Sequence, residues 1–365
     1  MNQTQQHPAP GLPKGLRLIS TALSFAGFGI GGLVIALLMT LSRLLPGSAQ
    51  QRAHRGQAIV HTAFRLHIWL MQTLGVMRLH VQGENKLNQP GQLVIANHPS
   101  LIDVVCLISR IPHANCIVKH QLFYNPFTWG PVTGAGFISN KDPETMINEA
   151  VDWLNAGGTM VIFPEGTRTR PGEPLRFQRG TANIALRANC RLTPVTIRCT
   201  PTTLTKAEPW YRIPERRFTM DLQVQDDIAL APFNNDGASP LAVRRLTRFL
   251  EQYFNEEINA DERHPGTRTQ GAGGFCTREP VIAMQNYDDI FPLVRDILVD
   301  MFELDAEQIQ PDAKLYDDLD IDSIDAVDLV VKIKEVTGRK VKPEDFKSVR
   351  TIDDVVIAVQ KLLED

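Results

Sequence analysis

The stretch Leu93-Val-Ile-Ala-Asn-His-Pro-Ser-Leu-Ile-Asp103 joins a short apolar run to a polar corner. Its first four residues predict a buried strand. Pro99 suits the first turn of a helix, which places His98 at the strand-to-helix corner and Asp103 inside that helix. A histidine exposed at such a corner can take a proton from a hydroxyl group, and a nearby carboxylate would hold its tautomer. The stretch therefore predicts a general base and its orienting partner, although helix capping alone would also explain these polar residues.

A second polar motif, Phe163-Pro-Glu-Gly-Thr-Arg168, ends the apolar run Met160 to Phe163. Gly166 would let the backbone come close to a ligand. Arg168, helped by Arg170, offers a planar fork of donors for a phosphate or carboxylate group. A solvated basic loop would also account for the arginines, so this motif gains its meaning from the first one.

Predicted strands and helices alternate around these motifs. Asp142-Pro143-Glu144 predicts a capped helix start, Gly157-Gly158 predicts the end of that helix, and Leu192 to Ile197 predicts a further strand. Such alternation indicates a layered α/β domain with a substantially parallel sheet. Both polar motifs follow strand ends, where sheets of this kind usually place their sites.

Together the two motifs resemble the glycerolipid acyltransferase family, whose bacterial type is 1-acyl-glycerol-3-phosphate acyltransferase. The resemblance runs from about Leu66 to Ile228 and takes in Lys119 and the region Leu192-Thr-Pro194-Val. It implies that His98 is the catalytic general base and that Asp103 orients it. It also implies that the phosphate of the acceptor is bound by Glu165, Gly166, Thr167 and Arg168.

One position departs from the family pattern. The middle motif of the family usually ends Phe-Ile-x-Arg, with the arginine contributing to glycerol phosphate binding. Here Gly136-Phe-Ile-Ser-Asn140 places Asn140 at that position, with Lys141 next. Loss of a fixed bidentate ligand would weaken binding of a glycerol phosphate. The departure indicates an acceptor other than lysophosphatidic acid, while acyl transfer itself remains the prediction because the base motif is complete.

Near the N-terminus, Leu18 to Ser42 form an uncharged, apolar segment of 25 residues. A helix of this length roughly matches the ~30 Å hydrocarbon layer, and we predict an uncleaved membrane anchor. Gly47-Ser48-Ala49 resembles a signal-peptide cleavage site, but the apolar segment is far longer than the ~7–15 residues of a signal peptide. The next stretch, Ala58 to Val81, predicts an amphipathic helix that either rests on the membrane surface or packs on the enzyme.

Acidic and basic residues are unevenly distributed along the chain. Residues 284–365 contain 21 acidic and 10 basic residues, a net charge of −11, which leaves 20 acidic and 28 basic residues before Met284, a net charge of +8. This asymmetry indicates two domains with different partners, or with each other as partners. Between them, residues 255–283 contain Pro265-Gly266 and Gly271-Ala-Gly-Gly274 and predict a flexible linker.

The acidic segment predicts a small helical bundle. An apolar helix stripe is formed by Ile290, Val294, Ile297 and Met301. Thr351-Ile-Asp-Asp354 predicts a capped last helix. From the residues alone, Ser323 in Asp322-Ser-Ile324 is a helix cap. The segment closely resembles a four-helix acyl carrier protein, whose usual core is Asp-Ser-Leu, and the resemblance implies that Ser323 carries 4′-phosphopantetheine with an acyl thioester on its thiol.

The predicted organisation has four parts: an N-terminal tail and membrane anchor at 1–56, a glycerolipid-type acyltransferase domain at 57–254, the linker at 255–283 and an all-α carrier domain at 284–365. The predicted reaction moves an acyl group from a phosphopantetheine thioester to a hydroxyl of a lipid acceptor, with His98 as general base. Two alternatives remain. The chain would be a membrane-tethered acyl carrier for separate fatty-acid or polyketide synthases, or a lysophosphatidic acid acyltransferase that uses coenzyme A thioesters.

The predicted partners follow from this reading. They are an acyl thioester donor (carrier-bound or coenzyme A), a lipid acceptor, the membrane, a phosphopantetheinyl transferase and synthase enzymes, but no nucleic acid. The five cysteines lack a Cys-x-x-Cys pair and predict buried thiols in a reducing compartment, with no metal site. We expect the bacterial inner membrane, with both domains facing the cytoplasm. A fainter resemblance, partly through Lys206-Ala-Glu-Pro-Trp-Tyr-Arg-Ile-Pro214, is to acyltransferases and carriers of aryl polyene pathways.

Overall fold

The computed structural model describes residues 13–42, 44–206, 208–234, 238–259, 287–302, 304–319, 321, 325–326, 329–330, 332–333 and 349–364. The described strands are β1 Met77–Gln82, β2 Gln92–Ala96, β3 Ala114–Val118, β4 Ile138–Ser139, β5 Thr159–Ile162, β6 Arg191–Thr200 and β7 Phe218–Val224. They form a sheet of order β1-β7-β6-β2-β5-β3-β4. All neighbours are parallel except β6 and β7. The predicted α/β domain with a substantially parallel sheet is confirmed.

Helices cover both faces of this sheet. They are α1 Lys14–Ser42, α2 Ala49–Thr73, α3 Asp103–Ile108, α4 Trp129–Gly134, α5 Pro143–Asn155, α6 Gly180–Ala188 and α7 Pro240–Asn259. Helices α1 to α4 share one hydrophobic core with the sheet, and α5 to α7 share the other. Within β2, Val94 joins the first core while Leu93 and Ile95 join the second, as the alternation of side chains along a strand requires.

The first two helices pack against each other and against α4. Ser48 and Gln51 form a capping box that starts α2. The helix predicted over Ala58 to Val81 begins earlier, at Ala49, and ends at Thr73. Residues 77–82 instead form β1, because their alternating side chains face the core and their backbone pairs with β7. One face of α2, which includes Val60 and Ile68, is buried in the protein.

The third helix of the second core, α7, continues to Asn259, into the segment that the sequence assigns to the linker. Contacts distant in sequence explain this extension. Asn255 exchanges hydrogen bonds with the backbone of Leu175, accepting at 2.9 Å and donating at 3.2 Å. The rest of the predicted linker, residues 260–283, lies outside the described residues.

The carrier segment contains α8 Tyr287–Phe302, a last helix α9 Ile352–Glu364, and helical residues at 325–326, 329–330 and 332–333. These parts share a hydrophobic core of their own, to which α8 contributes the predicted apolar stripe. At the start of α9, the Thr351 hydroxyl accepts from the Asp354 backbone at 3.3 Å, and the Asp354 carboxylate accepts from the Thr351 backbone at 3.0 Å. The predicted capped helix is therefore present, and the helical carrier fold is confirmed.

Candidate active site

The carboxyl ends of four parallel strands meet at one edge of the sheet. His98 follows β2 and Glu165 follows β5. Lys119 follows β3, and Asn140 follows β4 directly. The structure therefore gathers at one edge the three motifs that the sequence singles out, which lie up to about 70 residues apart in the chain.

The His98 ring is held by a buried carboxylate. Its Nδ1 lies 2.9 Å from Oδ2 of Asp103, and the same oxygen accepts the Ser100 backbone N–H at 2.7 Å. The Asp103 side chain is fully buried, whereas the His98 side chain is 16% exposed. Burial raises the pKa of Asp103, and the hydrogen bonds from His98 and Ser100 oppose that rise. A proton on Nδ1 directed at Asp103 leaves Nε2 as the nitrogen that can accept a proton from a substrate.

Asn97, the residue before the histidine, fixes this corner to the sheet. Its amide donates to the carbonyl of Ile197 at 2.8 Å and accepts from the backbone N–H of the same residue at 2.7 Å. The side chain is 2% exposed. Because Asn97 bridges β2 to β6 on both sides of its amide, it fixes the backbone from which His98 projects. No local pattern in the sequence indicates this role, since the partner lies 100 residues away.

Glu165 connects the two motif loops. Its Oε1 accepts the backbone N–H of His98 at 2.8 Å and the hydroxyl of Thr169 at 2.8 Å. The backbone N–H of Thr169 donates in turn to the His98 carbonyl at 2.8 Å. Burial raises the pKa of Glu165, and both hydrogen bonds oppose the rise. In the described structure this residue, predicted to bind the acceptor, supports the backbone of His98.

The Arg168 guanidinium, predicted to bind a phosphate group, makes hydrogen bonds within the protein. Arg168 Nη1 donates to the carbonyls of Leu204 and Thr205 at 2.9 and 2.8 Å. The same short segment is held by the first motif, since the Ser100 hydroxyl donates to the Thr203 carbonyl at 3.1 Å. Leu204 has a positive φ of 57°, which is uncommon for a residue with a branched side chain. Residues 203–205 are therefore held against both motifs, a contact that the sequence did not indicate.

The other predicted acceptor residues lie on the same turn. Gly166 has a φ of 63°, and a Cβ there would lie 3.3 Å from the side-chain amide of Gln178, so a larger residue would be strained. Thr167 is half-buried beside it. Arg170 is exposed and lies 3.6 Å from the Glu173 carboxylate. The binding roles of Glu165, Gly166, Thr167 and Arg168 stay predictions.

Asn140 organises the neighbouring loop. Its Oδ1 accepts the backbone N–H of His120 at 3.0 Å, at the start of a short 3₁₀ helix, His120–Phe123. His120 Nδ1 lies 3.0 Å from the Ser139 hydroxyl, and the Tyr124 hydroxyl lies 3.2 Å from His120 Nε2. Asn140 therefore belongs to a hydrogen-bonded cluster with His120, Ser139 and Tyr124.

The described cysteines are unsuited to nucleophilic catalysis. Cys106, Cys116 and Cys199 are buried free thiols, and Cys190 is half-buried. Burial raises the pKa of Cys116, Cys190 and Cys199 to about 12. Such thiols stay protonated at neutral pH, and the thiolate is the nucleophile. Cys276 lies outside the described residues.

Ser323, the predicted attachment residue, lies outside the described residues. The described residues on both sides fit a covalent attachment there. Leu319 and Ile321 are buried in the carrier core and hold the preceding segment, and helical residues resume at Asp325. The attachment role of Ser323 itself stays a prediction.

Comparisons with known proteins separate the chain into two parts. The acyltransferase family matches residues 78–198, and the phosphopantetheine attachment site family matches residues 292–359, a range that contains Ser323. Acyl carrier protein 2 of Ralstonia nicotianae is 52% identical over 75 residues, which cover 20% of this chain and 93% of that protein.

The first part matches lipid acyltransferases. The 1-acyl-sn-glycerol-3-phosphate acyltransferase of Saccharomyces cerevisiae is 30% identical over 201 residues, which cover 51% of this chain and 61% of the yeast protein. The crystal structure of the 1-acyl-sn-glycerophosphate acyltransferase PlsC of Thermotoga maritima aligns with a TM-score of 0.52 at 18% identity, covering 69% of this chain and all of that one. This structural likeness shows the fold. Neither comparison bears on the aryl polyene likeness, which stays a prediction.

Proposed function

We propose a function from the premise that this chain joins an acyltransferase domain of the 1-acyl-sn-glycerol-3-phosphate acyltransferase type to a domain of the acyl carrier protein family, which carries covalent 4′-phosphopantetheine. The enzyme transfers an acyl group from a thioester on its own carrier domain to a hydroxyl group of a lipid acceptor. The observation that carries this proposal is the 2.9 Å pair of His98 and buried Asp103 at the sheet edge, in a chain that also contains the donor domain.

Phosphopantetheine supplies a thiol on a flexible arm, where an acyl group is held as a thioester. His98 Nε2 removes the proton from the acceptor hydroxyl as that oxygen attacks the acyl carbonyl. The positive charge that forms on the imidazole is stabilised by the Asp103 carboxylate at Nδ1. The proton held on His98 Nε2 would then pass to the thiol that leaves, so the imidazole would end the transfer in its starting form. Atoms and charge therefore balance with His98 regenerated.

Glu165 and Asn97 support this chemistry by fixing the backbone of the histidine. The Phe163 ring lies 4.5 Å from the His98 ring, centroid to centroid, and covers part of it with an apolar surface. An apolar neighbour keeps water from competing with the acceptor hydroxyl for Nε2. The rigid frame and the partly covered ring together favour proton transfer from one positioned hydroxyl.

Intact-protein mass spectrometry tests the reaction. Protein loaded with an acyl group on Ser323 is incubated with and without a membrane lipid extract. Loss of the acyl mass from Ser323 together with its gain by a lipid supports the proposal. Retention of the acyl mass in the presence of several lipid classes would show an anchored carrier that serves other enzymes.

The structure supports a peripheral position of α1 in the membrane. Among the described residues, α1 is the helix long and apolar enough to cross a membrane. Its contacts with the rest of the protein extend from Arg17, which donates to the Pro214 carbonyl, to Met39, which packs on Gly134. These contacts span roughly 33 Å of helix, about the thickness of the hydrocarbon layer. We therefore propose that α1 lies along the cytoplasmic face of a bacterial inner membrane, with its apolar outer face in the lipid.

Two aspartates on the outer face of α1 should release the protein from lipid. Leu33 and Leu37 are 50% and 61% exposed. A charge in the hydrocarbon costs about 3 kcal/mol, so the double variant Leu33→Asp, Leu37→Asp is expected to bind liposomes at least ~10-fold more weakly in a flotation assay. The matched variant with alanine at both positions should still float. Unchanged flotation of the aspartate variant would contradict this placement.

The predicted acceptor is a lipid hydroxyl other than that of lysophosphatidic acid, because Asn140 does not supply a charged ligand for a glycerol phosphate group. Changing Asn140→Arg should add a charged donor at that position and raise kcat/KM for lysophosphatidic acid about 10-fold, because a charge-assisted hydrogen bond contributes about 1.5–3 kcal/mol. Asn140→Met is the control, since it also loses the bond to His120 but adds no charge. A wild-type protein that already uses lysophosphatidic acid as well as the arginine variant does would refute the prediction.

A further inference from the structure

Three charged side chains are buried together where the carrier segment meets the acyltransferase domain. Arg179 precedes α6, Arg244 lies on α7, and Asp325 belongs to the carrier. Their side chains are 6%, 3% and 2% exposed. The Arg179 guanidinium contacts the Asp325 carboxylate, and Arg244 Nη2 lies 3.8 Å from the same oxygen. One carboxylate of the carrier therefore lies between two arginines of the other domain.

Arg244 makes further contacts with the carrier. Its Nη1 donates to the carbonyl of Phe302, the last residue of α8, and its Nη2 lies 3.4 Å from the Leu319 carbonyl. Its guanidinium also lies over the Phe302 ring, 4.8 Å from the centroid. A cation at a helix C-terminus and over an aromatic face is favourable on both counts. Arg244 thus contacts Leu319, four positions before Ser323, and Asp325, two positions after it.

This contact surface lies close to the active-site loops. Arg179 follows Gln178, whose backbone N–H donates to the Pro164 carbonyl at 2.8 Å and whose side chain lies against Gly166. Glu165, the residue after Pro164, accepts the His98 backbone N–H. The residue that contacts Asp325 is therefore connected to the general base through one short loop.

The character of these residues argues for recognition. Removing one partner of a buried ion pair is costly because it leaves an uncompensated buried charge, so the docked contact of both arginines with Asp325 favours a carboxylate at that position. An undocked carrier would leave Arg179 and Arg244 without the Asp325 carboxylate. The opposite net charges of the two parts of the chain, +8 before Met284 and −11 from it onward, favour the same approach over longer distances.

We propose that Arg179 and Arg244 form the docking site by which the acyltransferase domain recognises its own carrier domain through Asp325, beside Ser323. The use of this site in acyl delivery rests on the proposed function, whereas the docking itself does not. Because Asp325 lies two residues after Ser323, any other enzyme that recognises the sequence around that serine competes with the two arginines. While it is docked, the carrier is therefore accessible to its own acyltransferase domain and less accessible to other enzymes.

The rate of serine modification tests the docking. Full-length apo-protein is mixed with a phosphopantetheinyl transferase and coenzyme A, and the mass gain on Ser323 is followed over time. If docking leaves about one tenth of the carriers free, Arg179→Gln and Arg244→Gln should each be modified up to about 10-fold faster than the wild type. Both substitutions lie outside the carrier, so a change at Ser323 must act through docking. Arg248→Gln, at an exposed position of α7, is the matched control and should match the wild type.

Hydrogen exchange supplies a second measurement of the docking, one that does not depend on modification of Ser323. Docking predicts slow exchange in both α7 and α8 of the unmodified chain and faster exchange of α8 in the two arginine variants, with β2 and β5 unchanged. Fast exchange of wild-type α8, or equal modification rates in all four proteins, overturns the proposal. A protein that shows these effects but transfers no acyl group would retain the docking site and lose the proposed function. Acyl transfer together with equal modification rates would retain the proposed function and exclude the docking site.

Discussion

Replacing His98 with alanine is expected to lower the rate constant of acyl transfer from the loaded carrier to lipid by about 10²- to 10⁴-fold at neutral pH. The loss has a direct physical cause. In the proposed mechanism the ring held by Asp103 takes the hydroxyl proton, and the alanine variant leaves only water for that role. The rate is measured as loss of acyl mass from Ser323 in single-turnover experiments with a lipid extract.

A matched histidine variant shows whether the loss is specific. His80→Ala removes an exposed ring from β1, away from the motif edge, and should leave the rate within about twofold of the wild type. Thermal unfolding of His98→Ala should remain one cooperative transition with a lowered midpoint, because the variant leaves the buried Asp103 carboxylate without its His98 partner. If His98→Ala retained more than a tenth of the wild-type rate, His98 would not be the general base.

Ser323→Ala is expected to abolish the mass gain from phosphopantetheinyl transferase and to reduce acyl transfer from carrier-bound donors by at least ~10³-fold. The substitution removes the attachment oxygen and, with it, the high effective concentration of a tethered donor. Ser348→Ala removes the other serine hydroxyl of residues 284–365 and should change neither result. Both are read by intact-protein mass and by the acylated lipid formed.

The same variant distinguishes the two donors. Transfer from acyl coenzyme A to lysophosphatidic acid at an undiminished rate in Ser323→Ala would mean that the carrier domain is not the donor. The chain would then act as its 1-acyl-sn-glycerol-3-phosphate acyltransferase relatives are named, with an attached carrier of separate use. Loss of both activities in a folded protein would confirm that the carrier is required.

The parts of the fold that could be predicted from the sequence depend on local signals. Apolar runs fixed β2, β5 and β6 to within a few residues, because a buried parallel strand must be apolar on both faces. The pairing of His98 with Asp103 follows from a strand-to-helix corner only six residues long. The cap of α5 at Asp142, whose carboxylate accepts the Thr145 N–H at 2.8 Å, was likewise visible in the sequence.

What the sequence did not predict depends on distant contacts. Arg179 looks like part of a solvated basic loop, and only the arrival of Asp325, 146 positions later in the chain, shows that it is buried. Arg168 has the chemistry of a phosphate ligand, yet its Nη1 is engaged by carbonyls 36 and 37 residues away. Neither arginine lies in a periodic or local pattern. A short stretch of sequence therefore could not show whether its side chain is solvated or bound within the protein.

The concentration dependence of transfer tests most directly the central claim that the carrier delivers its acyl group within the same chain. Acyl-loaded wild-type protein is placed in lipid nanodiscs at one chain per disc and diluted about 100-fold, and the rate of acyl loss from Ser323 is measured at each dilution. Delivery within the chain predicts a first-order rate constant that does not change with dilution. A rate constant that falls in proportion to protein concentration would show that the acyl group moves between chains and would contradict the account.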